Sequence, residues 1–318
     1  MRAAVYTMYG PPDVVRITEI EKPVPKDNEV LVKVRAASVN PLDWHFMRGA
    51  PFVVRIGAGL REPKVTRLGV DFAGQVEEAG RNATQFKPGD EVFGCIRGAF
   101  AEYVCVPEDK LVPKPANLSF ENAAAVPVAA ISALQALRDK GHIQQGHKVV
   151  VDGASGGVGT FAIQIAKSFG TEVTAVCSTR KLDTARSLGA DHVIDYTRED
   201  FTKNGKRYDL ILAANAFHSI FDYKRSLSRR GICVFVGGGG VQILQALLLG
   251  SLLSLIGSKK FSFLMAKISH KDLIVLKDLL EAGKITPVID KRYTLSEISE
   301  AIRYLETGHA RGKVVITI

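Results

Sequence analysis

The sequence predicts an α/β protein in which a β-rich region precedes a doubly wound parallel sheet. Short alternating segments, separated by Pro and Gly, fill the N-terminal part of the chain. Farther along, apolar runs alternate with helical patterns at the spacing of βαβ units. One of those units carries Gly153, Gly156 and Gly159 between its strand and its helix, as a sharp strand-to-helix turn requires.

The N-terminal region has the composition of short strands joined by turns. Period-two alternation predicts strands at 2–6, 14–19, 29–37, 69–79, 90–94 and 100–106. The segment FKPGD at 86–90 is a turn by composition. Pro113, Pro115 and Asn117 then mark the end of the β-rich region.

Helical periodicity begins after this boundary, with Ser119 as the expected cap of a helix at 119–125 and a second helical pattern at 131–140. Strands are predicted at 149–151, 172–177, 192–195, 208–213 and 231–236, with helices after the glycine turn and at 180–188 and 217–226. The tail reads as helices at 271–282 and 296–306, the second capped by Ser296, and strands at 288–293 and 313–318. The alternating middle part predicts the parallel sheet.

The strand, glycine turn and helix around residue 156 indicate a dinucleotide site. Such a turn lets the backbone approach a pyrophosphate, and the helix N-terminus offers N–H groups and a partial positive charge. The candidate contacts are Gly156, Gly157, Val158 and Gly159. The alternative is a tight turn in an α/β protein of another kind.

The end of the next strand, 172–177, predicts which dinucleotide binds. An Asp or Glu there would bind the ribose 2′-hydroxyl of NAD, but this chain has Ser178, Arg180 and Lys181 instead. A hydroxyl and two cations suit a 2′-phosphate, so NADP(H) is expected rather than NAD(H). The alternative is that both cations are solvated, although cations are unfavourable beside a helix N-terminus.

Further cofactor contacts are expected at Asn215, Gly237 and Gly238. They follow two predicted strands of the parallel sheet. Ligands gather at the carboxyl ends of such strands.

Composition excludes several other classes of protein. The 318 residues carry a net charge of +9, but the basic residues are dispersed and no basic run is interleaved with aromatics, so no nucleic-acid partner is expected. The four cysteines form no C-x-x-C pair, which predicts reduced thiols and a cytoplasmic protein. No signal peptide is recognised at the N-terminus. The most apolar stretch, 241–256, is too short and too polar to span a bilayer.

Seven segments together carry a family resemblance. They are 37–43 (ASVNPLD), 69–74 (GVDFAG), 86–92 (FKPGDEV), 98–103 (GAFAEY), the glycine turn, 188–191 (LGAD) and 312–315 (GKVV). The chain resembles the medium-chain dehydrogenase/reductase superfamily, in its zinc-free quinone oxidoreductase branch. The resemblance implies a GroES-like domain at 1–120, completed by 270–318, around a Rossmann NADP-binding domain at 121–269. It also implies that NADPH binds in the cleft between the two domains.

The resemblance also bears on metal binding. Zinc members of the superfamily hold their metal with a Cys and a Gly-His-Glu motif, whereas this chain has Gly69-Val70-Asp71 and lacks the four-cysteine zinc lobe. No metal is therefore expected. A site made of Asp71, Asp43 and His45 is the alternative.

The activity implied is NADPH-dependent reduction of a quinone or an α,β-unsaturated carbonyl, a small hydrophobic electrophile. Two other hypotheses stay open: a zinc-independent alcohol/aldehyde (carbonyl) reductase, and an NADPH-binding sensor or structural protein with little turnover. A homodimer is implied by analogy with the family.

The resemblance suggests roles for several more residues. His45 stands where related reductases carry a Tyr facing the nicotinamide, so it is a candidate hydrogen-bond or proton donor. Asn40 is a candidate for orienting the nicotinamide or substrate. Asp43, together with Asp71, is a candidate for positioning His45, or the two aspartates position each other. Tyr196 would pack near the adenosine, and Lys313 would reach the cofactor from the tail. The alternatives are structural: a packed histidine, a turn asparagine, a capping aspartate, a strand-end tyrosine and a solvated lysine.

The apolar segment 241–256 has three interpretations. It is a wall or lid for a hydrophobic substrate, a helix at a subunit contact, or a peripheral membrane contact in which Lys259 and Lys260 meet anionic lipid.

Overall fold

The structure is a computed structural model that describes the backbone of all 318 residues and every side chain except that of Ile256. The chain divides into two compact units. The first, here the β unit, comprises Met1–Val128, Ile268–Glu281 and Pro287–Ile318. The second, the α/β unit, comprises Ala129–Lys267 and Ala282–Thr286. The first boundary lies after Val128 rather than after residue 120, because the helix after Ser119 packs on strands of the β unit. The chain returns to the β unit at Ile268, two residues before the expected position.

The first part of the β unit contains seven strands and three helices. In chain order they are β1 (Arg2–Val5), β2 (Arg16–Glu19), β3 (Glu29–Val39), α1 (Pro41–Arg48), α2 (Val53–Ala58), β4 (Asp71–Ala79), β5 (Glu91–Cys95), β6 (Tyr103–Pro107), β7 (Leu111–Pro113) and α3 (Phe120–Ala124). Ser119 caps α3 as predicted, because its hydroxyl accepts the Asn122 N–H. The short helix α2 and strand β7 have too little periodicity to be predicted.

The α/β unit alternates strands and helices. The chain enters it through α4 (Pro127–Gln135), which ends in a π turn, and continues through β8 (Lys148–Asp152), α5 (Gly157–Ser168), β9 (Glu172–Cys177), α6 (Leu182–Ser187), β10 (His192–Asp195), β11 (Tyr208–Ala213), α7 (Ile220–Ser226), β12 (Leu227–Phe235), α8 (Gly240–Ile256) and β13 (Lys260–Phe263). The six strands form a parallel sheet in the order β10-β9-β8-β11-β12-β13. The strand order reverses between β8 and β11, which is where ligands bind in doubly wound sheets.

The tail returns to the β unit. Its elements are α9 (His270–Glu281), β14 (Ile289–Thr294), α10 (Ile298–Glu306) and β15 (Lys313–Thr317). Strand β15 pairs with β3 in a seven-stranded sheet, where Val314 and Ile316 join the core around Ala37 and Val39. The fold class is therefore confirmed.

The start of α10 corrects one prediction. Ser296 does not cap this helix. A 3₁₀ turn at Leu295–Glu297 precedes it, and Thr294 forms a capping box with Glu297.

Candidate functional site

The glycine turn joins β8 to α5 at the point where the strand order reverses. Gly153 has a φ of 83°, and a Cβ on it would lie 2.9 Å from the Asn215 backbone nitrogen. A Cβ on Gly159 would lie 2.2 Å from the Gly153 carbonyl oxygen. The fold itself therefore requires glycine at both positions.

Gly156 differs from the other two glycines of the turn. Its φ is −81°, and a Cβ on it would meet no atom closer than the Gly153 carbonyl oxygen, at 3.7 Å. It is the N-cap of α5, and no side chain caps this helix. The first N–H groups of the helix, from Gly157 to Gly159, lack an intrahelical acceptor. Open space beside uncapped donors fits an anionic group such as a diphosphate.

The predicted phosphate-binding residues follow β9. Ser178 precedes a 3₁₀ turn at Thr179–Lys181, and its hydroxyl is not used as a cap. Arg180 is exposed and forms no ion pair within the described part of the chain. Lys181 is half-buried beside it. The hydroxyl and the guanidinium are thus available to a 2′-phosphate.

A carboxylate that the sequence did not single out lies on the neighbouring strand. Asp195 pairs in register with Cys177 at the end of β9. It accepts hydrogen bonds from the hydroxyls of Thr179 and Thr197, which lower the pKa of its carboxyl below the usual range. Arg198 lies 3.7 Å from the same carboxylate. This aspartate is therefore bonded to side chains of the two segments that follow β9 and β10.

Two aromatic rings lie together beyond β10 and β11. Tyr196 is 58% exposed and Phe217 is 70% exposed. Their rings are nearly parallel, with centroids 6.5 Å apart. Exposed aromatic faces of this kind suit another flat ring. The sequence indicated Tyr196 but not Phe217. Phe217 follows a different strand, β11, and only the fold places the two rings together.

The loops after β11 and β12 approach each other closely. A Cβ on Gly237 would lie 2.8 Å from the Ala214 carbonyl oxygen, and Gly238 forms a β-bridge with Ala216. These glycines therefore serve the packing of the two loops, in addition to any role toward a ligand. Asn215 is exposed between them, and its backbone N–H donates to the Asp152 carbonyl oxygen.

A buried carboxylate lies directly before the glycine turn. Asp152 accepts a hydrogen bond of 2.6 Å from the hydroxyl of Tyr223, which is also buried. Burial raises the pKa of the Asp152 carboxyl from its usual value near 3.8 to about 6, against the opposing effects of the Tyr223 hydrogen bond and His218. Asp200 lies 3.8 Å from His218 and adds to the increase.

Asp152 makes the stability of the protein dependent on pH. The folded state binds the carboxyl proton more tightly than the unfolded chain, so the contribution is present below about pH 4 and lost as the pH rises through about 6. Asp152→Asn retains an oxygen that accepts from Tyr223 but cannot ionise. We expect its free energy of unfolding to rise relative to wild type by about 2 kcal/mol between about pH 4 and pH 7.

Denaturant unfolding of both proteins at matched pH measures this difference. The Asp43 carboxyl is present in both proteins, so its contribution to the pH dependence cancels when their free energies of unfolding are compared. Asp183→Asn, on an exposed side chain, controls for the loss of one negative charge. A difference between Asp152→Asn and wild type that stays constant with pH would contradict the prediction.

A buried polar network in the β unit contains two of the predicted catalytic residues. Asn40 donates from its side-chain amide to Asp71 Oδ2 at 2.9 Å and to the Ser38 carbonyl oxygen at 3.3 Å. Asp43 accepts the Asn40 backbone N–H at 2.7 Å and so forms the capping box of α1. Its complete burial raises the pKa of the Asp43 carboxyl to about 7. Asp43 thus has the capping contact that its structural alternative predicted, whereas the Asn40 side chain bonds within the buried network.

Lys313 belongs to the same network, which corrects both interpretations of this residue. Its ammonium is neither solvated nor available to a cofactor, because the side chain is 3% exposed. Nζ donates to Asn40 Oδ1 at 2.5 Å and lies 3.5 Å from both Asp71 Oδ2 and the Val39 carbonyl oxygen. Lys313 thus neutralises the buried carboxylate of Asp71.

His45 lies on α1 but outside this network. Its Nδ1 lies 2.7 Å from the Ala50 carbonyl oxygen, and its ring packs on Trp44 with centroids 3.7 Å apart. A carbonyl only accepts, so Nδ1 carries the proton and Nε2 can donate only in the imidazolium form. The expectation that Asp43 positions His45 is wrong, since Asp43 bonds to the backbone of Asn40 instead.

A cavity of about 250 Å³ opens in the β unit beside α1. Leu42 and Phe46, one helical turn apart, form part of its wall. The other lining residues are Val70, Cys95, Ile96, Arg97, Lys110 and Ile268. None of the predicted catalytic residues lines this cavity. Its apolar walls suit a flat organic molecule.

Known proteins resemble this chain over its full length. Residues 26–116 match the family model described as alcohol dehydrogenase GroES-like domain, and residues 188–316 match the one described as zinc-binding dehydrogenase. A mitochondrial NAD(P)H oxidoreductase from Homo sapiens is 35% identical and covers 100% of this chain and 89% of its own. A 2-methylene-furan-3-one reductase from Solanum lycopersicum is 35% identical, covering 99% and 79%. The solved quinone oxidoreductase from Coxiella burnetii has a TM-score of 0.89 at 31% identity and covers 100% and 99%.

The chain belongs to the quinone oxidoreductase branch of the medium-chain dehydrogenase/reductase superfamily. The predicted division of this chain into a GroES-like part and a Rossmann-like parallel sheet is confirmed at the level of fold. The site residues remain predictions, except where the contacts above correct them.

In this chain, the residues at the position of the superfamily's zinc ligands form contacts with other side chains. Asp71 pairs with Lys313, and the Cys95 thiol lies 3.5 Å from the same carboxylate. Within the part of the chain that the structure describes, no three His, Cys, Asp or Glu side chains are grouped to hold a metal ion. Two of the three residues of the alternative metal site are thus engaged elsewhere, Asp71 with Lys313 and Asp43 with the Asn40 backbone.

The apolar segment 241–256 forms the helix α8. It carries no charged residue, and one side of it is exposed. The exposed side chains are Val241, Leu244, Leu247, Leu248, Leu252 and Leu255. Of the helices described, none has both the length and the apolar character needed to cross a membrane.

Proposed function

We propose that the protein is an NADPH-dependent reductase that transfers a hydride to a quinone or an α,β-unsaturated carbonyl compound. The observation that carries the proposal is the open, uncapped start of α5 at Gly156. Ser178 and Arg180 at the end of the next strand favour the phosphorylated dinucleotide. The names of the human and tomato relatives, an NAD(P)H oxidoreductase and an enone reductase, support the same activity.

The residues of the β unit suit a conjugated acceptor. The nicotinamide, when bound, supplies the hydride. An acceptor with a conjugated system spreads the incoming charge onto an oxygen that hydrogen-bond donors can stabilise. Val70 stands where zinc members have an imidazole ligand, and the apolar cavity beside α1 fits a ring system. We retain His45, which lies on α1 but does not line this cavity, as a proposed proton donor.

Turnover of three acceptors with NADPH, measured side by side, tests the activity. We expect an enone and a quinone to be reduced and a simple aldehyde to react poorly. Reaction of the aldehyde alone would favour a carbonyl reductase, which the alcohol dehydrogenase-like domain match also allows. Tight NADPH binding without oxidation across a broad panel would favour a nucleotide-binding protein.

Arg180→Ala is expected to weaken NADPH binding by about tenfold to a hundredfold, because it removes a charged hydrogen-bond donor worth about 1.5–3 kcal/mol. NADH affinity should change little, since NADH lacks the 2′-phosphate. Calorimetry with both nucleotides measures the change. Arg186→Ala, on α6 and paired with Asp183, removes the same charge as a matched control. Equal affinities for the two nucleotides in wild type, unchanged in Arg180→Ala, would contradict the NADPH preference.

Two further properties belong to the proposal. We propose a homodimer in which a second copy covers the exposed side of α8, because α8 packs beside β13, the edge strand of the parallel sheet. An apolar face next to an open strand edge favours self-association, and sedimentation would detect it. The cytoplasm remains the compartment that the four free cysteines suggest.

A further inference from the structure

The cavity beside α1 is lined by both apolar and positively charged residues. Leu42, Val70 and Ile96 are among the apolar ones, and Arg97 and Lys110 are the charged ones. Two cations in an otherwise apolar cavity add a preference for negative charge that the apolar walls do not supply.

Arg97 is held against the wall of this cavity. Its guanidinium carbon lies 3.9 Å from the centroid of the Phe46 ring, a cation–π contact that orients the flat group. In the part of the chain that the structure describes, Arg97 forms no ion pair, whereas Arg48, on the same helix as Phe46, pairs with Glu306. The guanidinium is therefore placed and oriented, but its N–H donors lack a carboxylate partner.

The other titratable groups leave the cavity positively charged. Lys110 pairs with its neighbour Asp109, whose carboxylate is largely exposed and lies 3.6 Å away. Burial and the nearby carboxylate of Asp71 raise the pKa of the Cys95 thiol, so this side chain stays neutral. Lys313 offsets the charge of Asp71.

We propose that Arg97 binds a carboxylate on the acceptor, so that the preferred substrates are flat apolar enones or quinones that carry an acidic group. This inference rests on the proposed function. Phe46 and the apolar wall would contact the ring, and Arg97 would bind the carboxylate through two parallel hydrogen bonds. Lys110 would add a less directional positive charge.

Two enones of nearly the same shape test the proposal: benzalacetone and its para-carboxylate. We expect wild type to have a kcat/KM at least about tenfold higher for the carboxylate. Arg97→Gln should lower that value by about tenfold to a hundredfold, mainly through KM, because an interaction made in both ground and transition states is lost. Benzalacetone should be affected far less. Arg61→Gln, an exposed arginine of the same unit, should change neither substrate.

Calorimetry separates failure of this inference from failure of the proposed function. The ligand is the saturated para-carboxylate of benzylacetone, which cannot be reduced at a double bond. Binding to wild type that is lost in Arg97→Gln and kept in Arg61→Gln supports the inference, even if neither enone is turned over. Equal binding by wild type and Arg97→Gln, no binding to wild type, or a wild-type preference for neutral benzalacetone would overturn it.

Discussion

Replacing Gly156 with valine is expected to weaken NADPH binding at least about a hundredfold while the protein stays folded. The loss of two hydrogen bonds to a charged diphosphate, at about 1.5–3 kcal/mol each, accounts for that magnitude. The fold should tolerate the change because a Cβ at this position meets nothing closer than 3.7 Å, and a φ of −81° suits any residue. Valine is a poorer N-cap, which costs about 1 kcal/mol.

Calorimetry with NADPH and thermal unfolding of the free protein together measure this effect. Gly57→Val, where a Cβ also meets open space, controls for the same substitution away from the turn. Gly159→Ala should instead disrupt folding, because its Cβ would lie 2.2 Å from the Gly153 carbonyl oxygen. NADPH bound by Gly156→Val as tightly as by wild type would exclude the glycine turn as the diphosphate site.

Lys313→Met is expected to lower the free energy of unfolding of the protein by about 3–5 kcal/mol, because it leaves the buried carboxylate of Asp71 without a counter-ion. Asp71 is fully buried, and Lys313 is 3% exposed. Asn40 would also lose the donor to its side-chain oxygen. Denaturant unfolding measures the loss. Lys64→Met, on an exposed side chain, is the matched control and should be close to neutral.

The double variant Asp71→Asn/Lys313→Met should recover part of the lost stability, since it removes both charges. Nucleotide affinity of Lys313→Met should be unchanged in the protein that remains folded. Wild-type stability combined with weakened NADPH binding would restore the expectation that Lys313 contacts the cofactor.

Features encoded by neighbouring residues were predictable from the sequence. The glycine turn is one, since its strand, its glycines and its helix lie within 148–168 and all form as expected. The cap at Ser119 is another, because the capping hydrogen bond joins residues three apart. At the start of α10 the local pattern predicts the wrong cap. Ser296 fits the N-cap pattern, but a 3₁₀ turn precedes the helix and Thr294 forms the capping box.

Features that join distant segments were not predictable. Lys313 and Asn40 are 273 positions apart, and only the pairing of β15 with β3 brings the ammonium to the amide. The sequence allowed a functional role for both residues. Nothing in the residues next to Asn40 or Lys313 indicates that their side chains are buried. The same holds for Arg97, because its position against the Phe46 ring depends on a contact between segments that are distant in the sequence.

The sequence by itself determined the fold class, the family and the position of the nucleotide turn, because hydrophobic periodicity and glycine spacing act over a few residues. Only the tertiary structure decided which polar residues are buried partners and which line a cavity. Burial and pairing depend on residues that the folded sheet brings together from distant parts of the chain, and no local pattern records them.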